Sequence, residues 1–224
     1  VKFLNTLKIP FLSLMLLSGC THPPISGDIP SLSDYTYIIG PGDSVEIFVW
    51  GNPDISRKAV VRPDGKLTIP LAEDMPASGK TPFELARAME KRLEKFVRDP
   101  QVVIIVDNFE GVYSQQVRVV GQLNSGGGNS GGGLGGGLGG GGRNPGFSAK
   151  AFPYKKEMTL LDLMIQVGGL GQFADGNRAS ILRKVKGTSQ QFGVKIDDLI
   201  NDGNLSANVK ILPGDILIIP EAFF

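Results

Sequence analysis

Two aspartates, Asp43 and Asp64, each sit in a proline/glycine turn. A pair of carboxylates facing one another across a cleft is the apparatus of glycoside hydrolysis, one group protonating the leaving oxygen and the other acting as base or nucleophile. In Gly40-Pro41-Gly42-Asp43 and Arg62-Pro63-Asp64-Gly65, however, a local bond from the aspartate to its own backbone accounts for the residue without any chemistry. The run DMPASGKT ends as a phosphate loop ends, but the position of its first glycine is held by Asp74, which repels phosphate, and Pro76 removes an amide donor. Gly169-Leu170-Gly171-Gln172-Phe173-Ala174 fits G-x-G-x-x-A, yet it follows a helical pattern, so the strand-to-helix turn that aims amides at a pyrophosphate is missing. His22 is the only histidine and Cys20 the only cysteine, which excludes an intramolecular disulfide and a cysteine metal cluster. These residues give no catalytic, cofactor or metal site, and the position with a chemistry of its own is Cys20.

Cys20 closes the stretch VKFLNTLKIPFLSLMLLSGC, in which two lysines precede an apolar run from Ile9 to Leu17. A positive start followed by a short apolar segment has the form of a secretory signal, and the run falls short of the ~20 residues that a spanning helix needs. Leu17-Ser18-Gly19-Cys20 resembles the bacterial lipobox, which implies a signal peptide over 1–19 and a diacylglyceryl-modified Cys20. Acyl chains at ~0.8 kcal/mol per buried CH₂ make such an anchor effectively permanent. By the sorting rule that this resemblance brings, Thr21 in place of aspartate directs the protein to the outer membrane, on its periplasmic face. Residues 20–34 are rich in proline, serine and glycine and read as a lipid-anchored tether, which makes His22, two residues from the anchor, a poor base or ligand.

The elements that follow explain why the aspartates stand in turns. Val45, Ile47 and Val49 alternate with Glu46, Phe48 and Trp50, the period of a strand. AVVRPDGKLTIPL predicts two short strands joined as a hairpin at Pro63-Asp64-Gly65. Thr81, Pro82 and Glu84 form a capping box ahead of a helix of about four turns, with Phe83, Ala86, Met89, Leu93 and Phe96 as its apolar face. RDPQVVIIVDNF predicts a strand apolar on both faces, hence central or covered.

A second block begins with the strand SQQVRVVGQL and continues, after a glycine-rich run, to a short helix capped by Thr159 with Leu160, Leu163, Met164 and Val167 on one face. RASILRKV and QQFGVKI read as strands, DDLIND as a helical turn, and VKILPGDILIIP as a Pro213-Gly214-Asp215 turn launching a last strand. The fold class is α+β in two small domains. With residues 1–19 removed, 23 Lys+Arg against 22 Asp+Glu become 21 against 22, a balance that carries no footprint for nucleic acid.

Taken in order, YIIGPGDSVEIFVWGNPDIS, VVRPDGKLTIPLAED and GKTPFELARAMEKRLEKFVRDPQVVIIV resemble the polysaccharide-export domain of the Wza-type outer-membrane polysaccharide export family. The resemblance covers a first domain over 35–110. VRVVGQL, PGF, TLLDLMIQVGGL, ILRK and NVKILPGDILIIP resemble that family's β-grasp-like SLBB domain, giving a second domain over 115–220. In the family a short Pro-Gly turn joins the first two strands of this second domain. Here 13 of the 18 residues from Ser125 to Gly142 are glycine, and this run stands between Val117–Leu123 and Pro145-Gly146 as a loop insertion. Loop closure rises only logarithmically with length, so the insertion is tolerable.

The resemblance implies a homo-oligomeric ring through whose lumen a capsular or exopolysaccharide chain leaves the cell, by conduction and without covalent chemistry. It implies an inner-membrane polysaccharide co-polymerase as partner. Larger members continue into a membrane-spanning helix, but four residues follow Pro220 here, which leads us to expect a separate outer-membrane β-barrel protein as the exit. The competing reading is a monomeric lipoprotein binding a soluble sugar or other small ligand. A hydrolase requires Asp43 and Asp64 to meet in one cleft.

Overall fold

The computed structural model describes residues 22–25, 35–124, 147–185 and 187–223, so Cys20, most of the tether and the glycine run lie outside the described residues. The described chain forms two α+β units, each built around its own apolar cluster.

In the first unit the elements are β1 (Ser44–Val49), β2 (Arg57–Val60), β3 (Lys66–Ile69), β4 (Ala72–Pro76), α1 (Pro82–Leu93) and β5 (Val102–Asn108). The strand β1 is central in an antiparallel sheet of order β2-β1-β5, while β3 and β4 form a separate hairpin. Its period of two turns Val45, Ile47 and Val49 inward, where they are buried with Ile39, Val61, Leu67 and the apolar side of α1. The capping box is formed: Thr81 Oγ1 accepts the Glu84 N–H at 3.1 Å and the Glu84 carboxylate accepts the Thr81 N–H at 2.8 Å.

Three local expectations are revised. The strands on either side of Pro63-Asp64-Gly65 do not pair with each other. The turn itself closes, with Gly65 N–H to Arg62 O at 2.8 Å and Arg62 N–H to Lys66 O at 2.8 Å, but β2 then follows β1 and β3 follows β4. Turn chemistry fixes four residues, whereas strand partners are chosen by burial. In α1, Leu85 takes the place given to Phe83: Leu85 is fully buried and Phe83 is 71% exposed. At 3.6 residues per turn Leu85 lies nearer the Ala86-Met89-Leu93 stripe than Phe83 does, and the helix ends at Leu93, before Phe96, which is exposed. Finally, β5 is an edge strand, with Val102 and Ile104 buried but Val103 and Ile105 facing outward.

The second unit contains β6 (Gln116–Gln122), β7 (Phe147–Pro153), α2 (Leu160–Val167), β8 (Ser180–Val185), β9 (Thr188–Gly193), α3 (Ile196–Ile200) and β10 (Ile216–Ile219). They form one sheet of order β7-β6-β10-β8-β9, in which β6 and β10 are parallel and the remaining neighbours antiparallel. First and last strands side by side between two hairpins, with α2 packed on the sheet, is a β-grasp-like arrangement. The buried face of α2, Leu160, Leu163, Met164 and Val167, packs with Val117, Val119, Ile181 and Leu217. The helix is closed by a capping box between Thr159 and Asp162, and stops at Gly168, whose φ of 92° continues no helix. At its far end β6 meets β7 at Gln122↔Phe147, so the glycine run joins two strands that are hydrogen-bonded partners.

Residues Pro23, Pro24 and Tyr35 lie on the second unit although they precede the first in sequence. Gly193 donates its N–H to Pro23 O at 3.0 Å, Pro24 bridges Gly193 in parallel, and Tyr35 meets Tyr154 edge to face at 4.8 Å.

Candidate functional site

Between β5 and β6 the chain crosses from one unit to the other through residues 109–115, and two of the three Pro/Gly/Asp turns grip this connector. In the first, Pro41 sets φ and Gly42 takes a φ of 94°, which returns the chain so that Asp43 lies three residues from Gly40 and its carboxylate points inward. Asp43 is fully buried. Its Oδ1 accepts the N–H groups of Glu110 at 2.7 Å and Gly111 at 2.8 Å. Its Oδ2 accepts the Tyr37 hydroxyl at 2.6 Å and the Gly40 N–H at 2.9 Å. Four donors therefore take up the acceptor capacity of one carboxylate, and two of them belong to the connector. Burial, and then the bond to Asp43, push the Tyr37 phenol well above its ordinary range. The contact is close enough that a Cβ on Gly40 would overlap the Gly111 carbonyl.

The turn Leu212-Pro213-Gly214-Asp215 repeats this construction at the connector's other end. Gly214 has a φ of 87°, and Asp215 Oδ2 accepts the Leu212 N–H at 2.8 Å, the same reach of three residues back that Asp43 makes to Gly40. Here the remaining acceptor sites hold a cation. Arg183 donates Nε to Oδ1 at 2.9 Å and Nη2 to Oδ2 at 2.6 Å, and also gives Nη2 to Lys210 O at 2.9 Å, with both side chains buried. The bidentate geometry matches the planar fork of a guanidinium to a carboxylate. A Cβ on Gly214 would stand 2.8 Å from Ser114 O, so this turn too lies against the connector. Gln115 completes the clamp by accepting the Ile38 N–H at 3.3 Å and donating to Thr36 O at 3.2 Å.

The third turn is different. Asp64 is exposed and paired with Arg62, which also donates Nη1 to Asp74 at 2.7 Å. The Arg62 bond holds the Asp64 carboxyl below its ordinary range, and the two carboxylates raise the Arg62 guanidinium. Pro63 and Gly65 serve this surface turn, and Gly65 O accepts the Ala77 and Ser78 N–H groups at 3.0 and 2.9 Å. Asp43 and Asp64 share no partner. One belongs to the connector clamp and the other to a surface ion cluster.

The other sequence candidates resolve into structure. Asp74 lies in β4 and Thr81 caps α1, so DMPASGKT runs from a strand into a helix with its acid turned to Arg62. Gly169-Leu170-Gly171 follows the C-terminus of α2, where Gly171 N–H binds Gln122 O at 3.1 Å. No group of three or more metal-ligating side chains occurs among the described residues. A surface depression of about 330 Å³ beside α2 is lined by Lys155, Lys156, Glu157, Met158, Asp162 and Gln166 among others.

Arg183 and Tyr37 are absent from the sequence candidates. Arg183 left a signal, since it occupies the same strand face as Ile181, where a charged residue demands a buried partner. Tyr37 left none, because its partner is defined only once the turn at Gly40 folds. What the arrangement does physically is to bond the connector to the first unit through the buried Asp43 carboxylate, while the turn that the Arg183–Asp215 pair fixes inside the second unit packs against the connector's other end.

Residues 31–107 match the family model described as polysaccharide biosynthesis/export protein. The match spans the first unit from before Tyr37 to Asp107 in β5, and includes both the Asp43 turn and the Asp64 turn. No helix among the described residues is long and apolar enough to cross a membrane.

Proposed function

We propose, on the premise that this chain belongs to the polysaccharide biosynthesis/export protein family, that it is a structural subunit of a channel through which a capsular or exopolysaccharide leaves the cell. The single observation that carries the reading is the family match over residues 31–107, within which Asp43 is built into the fold as a fastening. The second unit is an SLBB domain in this reading, supported by its β-grasp-like strand order. Cys20 carries the lipid that holds the subunit to the periplasmic face of the outer membrane. The copies form a ring, fed by an inner-membrane co-polymerase.

The clamped connector supports such a role because a ring subunit must keep its two domains in register with those of its neighbours. Mass measurement of the full-length lipoprotein extracted in mild detergent tests the assembly. A closed oligomer is expected, and a monomer that binds free oligosaccharide points instead to the soluble-ligand lipoprotein.

A further inference from the structure

The sheet of the first unit has two open edges. Val102 turns its N–H outward to Glu90 Oε1 at 3.0 Å and its carbonyl to Arg87 at 3.4 Å, so every second residue of β5 has its main chain on the free edge. Ile104 and Val106 follow in that phase, and among the described residues no hydrogen bond fills their outward N–H and C=O groups. On the other side, Val61 and Asp43 bond across β2 and β1, with Val61 N–H to Asp43 O at 2.9 Å, which leaves Lys58 and Val60 as the outward phase of β2. Natural edge strands are usually blunted by proline, inward charge, a bulge or a cover. In β5 the side chains of Arg87 and Glu90 cover the Val102 end and the register shifts at Asp107, but from Val103 to Val106 the edge has no proline, charge or cover, and Val103 and Ile105 are 53% and 48% exposed on the outer face.

We infer that β5 of one copy pairs in parallel with β2 of the next, so that the three-stranded sheets of successive copies join into one continuous sheet around the oligomer. The inference rests on the homo-oligomer reading above and names the surface that makes it. Within one chain β2 and β5 both run antiparallel to β1, hence parallel to one another, which is the sense in which they meet when each copy is rotated into the next. Their charges are complementary. The strand β2 carries Arg57 and Lys58 and no acid, while β5 carries Asp107 and no base. Two β2 edges would oppose cation to cation, which disfavours that pairing. Within one chain Lys58 and Asp107 are bonded to each other across the face of β1 at 2.6 Å, so pairing between copies exchanges this partner for the neighbour's. The contact uses different surfaces on its two sides, and such a heterologous contact closes into a ring when the rotation permits. The outward Phe48 and Trp50, edge to face at 6.1 Å, then border a ribbon extended by Val60 of the neighbour.

Paired cysteines in the full-length, membrane-bound lipoprotein test this directly. Glu46 is the register partner of both Lys58 and Ile105, so the two stand level but with β1 between them. Two strand spacings amount to about 9–10 Å, too far for a disulfide within one chain, whose Cα atoms must lie within about 7 Å. Oxidation of K58C/I105C by copper phenanthroline is expected to give a reducible ladder of covalent multimers, with neither single variant doing so above the unsubstituted chain. The pairs V60C/I105C and K58C/D107C cover a two-residue slip in register in either direction. Dimers from I105C alone would mean that two β5 edges meet and would overturn the proposal. Absence of cross-links in all three pairs, with an oligomer still found by mass, would overturn it while leaving the ring standing. A monomer by mass would remove both.

Discussion

Asp43 Oδ1 accepts the main-chain N–H of Gly111 at 2.8 Å, joining residues 68 apart in the chain. The bond ties the opening turn of the first unit to the connector that leaves it. Ser114 lies against the turn of Asp215 three residues later, so the two units are fastened within a span shorter than either of their helices α1 or α2. Both contacts use a Pro-Gly-Asp turn, but the Asp43 carboxylate bonds the connector itself, whereas the Asp215 carboxylate is completed by the guanidinium of Arg183 within the second unit and its turn meets the connector by close packing of Gly214 on Ser114.

Removal of the Asp43 side chain leaves the Glu110, Gly111 and Gly40 N–H groups and the Tyr37 hydroxyl without their acceptor. At ~1–3 kcal/mol for a buried unpaired group, with partial relief by water, Asp43→Ala is expected to cost about 3–5 kcal/mol in urea unfolding. Asp43→Asn retains the shape but sets an amide NH₂ against two donors, and is expected to fall between the two. A cost under about 1 kcal/mol for Asp43→Ala would contradict the clamp.

Arg183 and Asp215 form a buried ion pair, and breaking one side leaves the other charge uncompensated. Arg183→Met or Asp215→Leu alone is expected to cost about 3–5 kcal/mol, and the double variant less than the two singles added together. Chemical denaturation of the four proteins of the cycle measures the coupling. Simple additivity would show that the two residues act separately.

The revised face of α1 is open to the same measurement. Leu85→Ala empties a fully buried site and is expected to cost about 2–5 kcal/mol. Phe83→Ser alters a side chain on the outer surface and is expected to change stability by less than about 1 kcal/mol, through its contact with Arg87. Equal costs at the two positions would restore Phe83 to the core.

Acid dependence follows from the caps. The Thr81 N–H, followed by its hydroxyl, holds the Glu84 carboxyl below its ordinary range, and the Thr159 hydroxyl, followed by its N–H, does the same for Asp162. A depressed folded-state value stabilises the fold fully above the unfolded pKa, near about 4. That contribution is lost as pH falls through the depressed values. The variant Glu84→Gln with Asp162→Asn is expected to show a shallower loss of stability between about pH 5 and pH 3 than the parent. Parallel pH profiles would assign the acid response to other groups.

What the sequence makes legible is what is encoded locally. Thr81 with Glu84, and Thr159 followed by a 3.6-residue apolar stripe, declare two helix starts because every partner lies within one turn. The strand β1 is legible from alternation alone. Strand partnership is not, which is why Pro63-Asp64-Gly65 reads as a hairpin although its strands go to different sheets. The run VVIIV has the composition of a covered strand, yet the sheet order places it at an edge. Asp43 and Asp215 are visible as turn residues, while their donors, Gly111 and Arg183, lie 68 and 32 residues away and come into view only with the fold.

The central claim is that this protein acts at the export of a polysaccharide. A strain lacking it, with surface polysaccharide quantified alongside lipid-linked repeat units in the inner membrane, tests that claim most directly. The account predicts loss of polymer from the cell surface with repeat-unit assembly intact, restored by the full-length chain. Surface polymer at the parental level, or a block already at repeat-unit assembly, would contradict it.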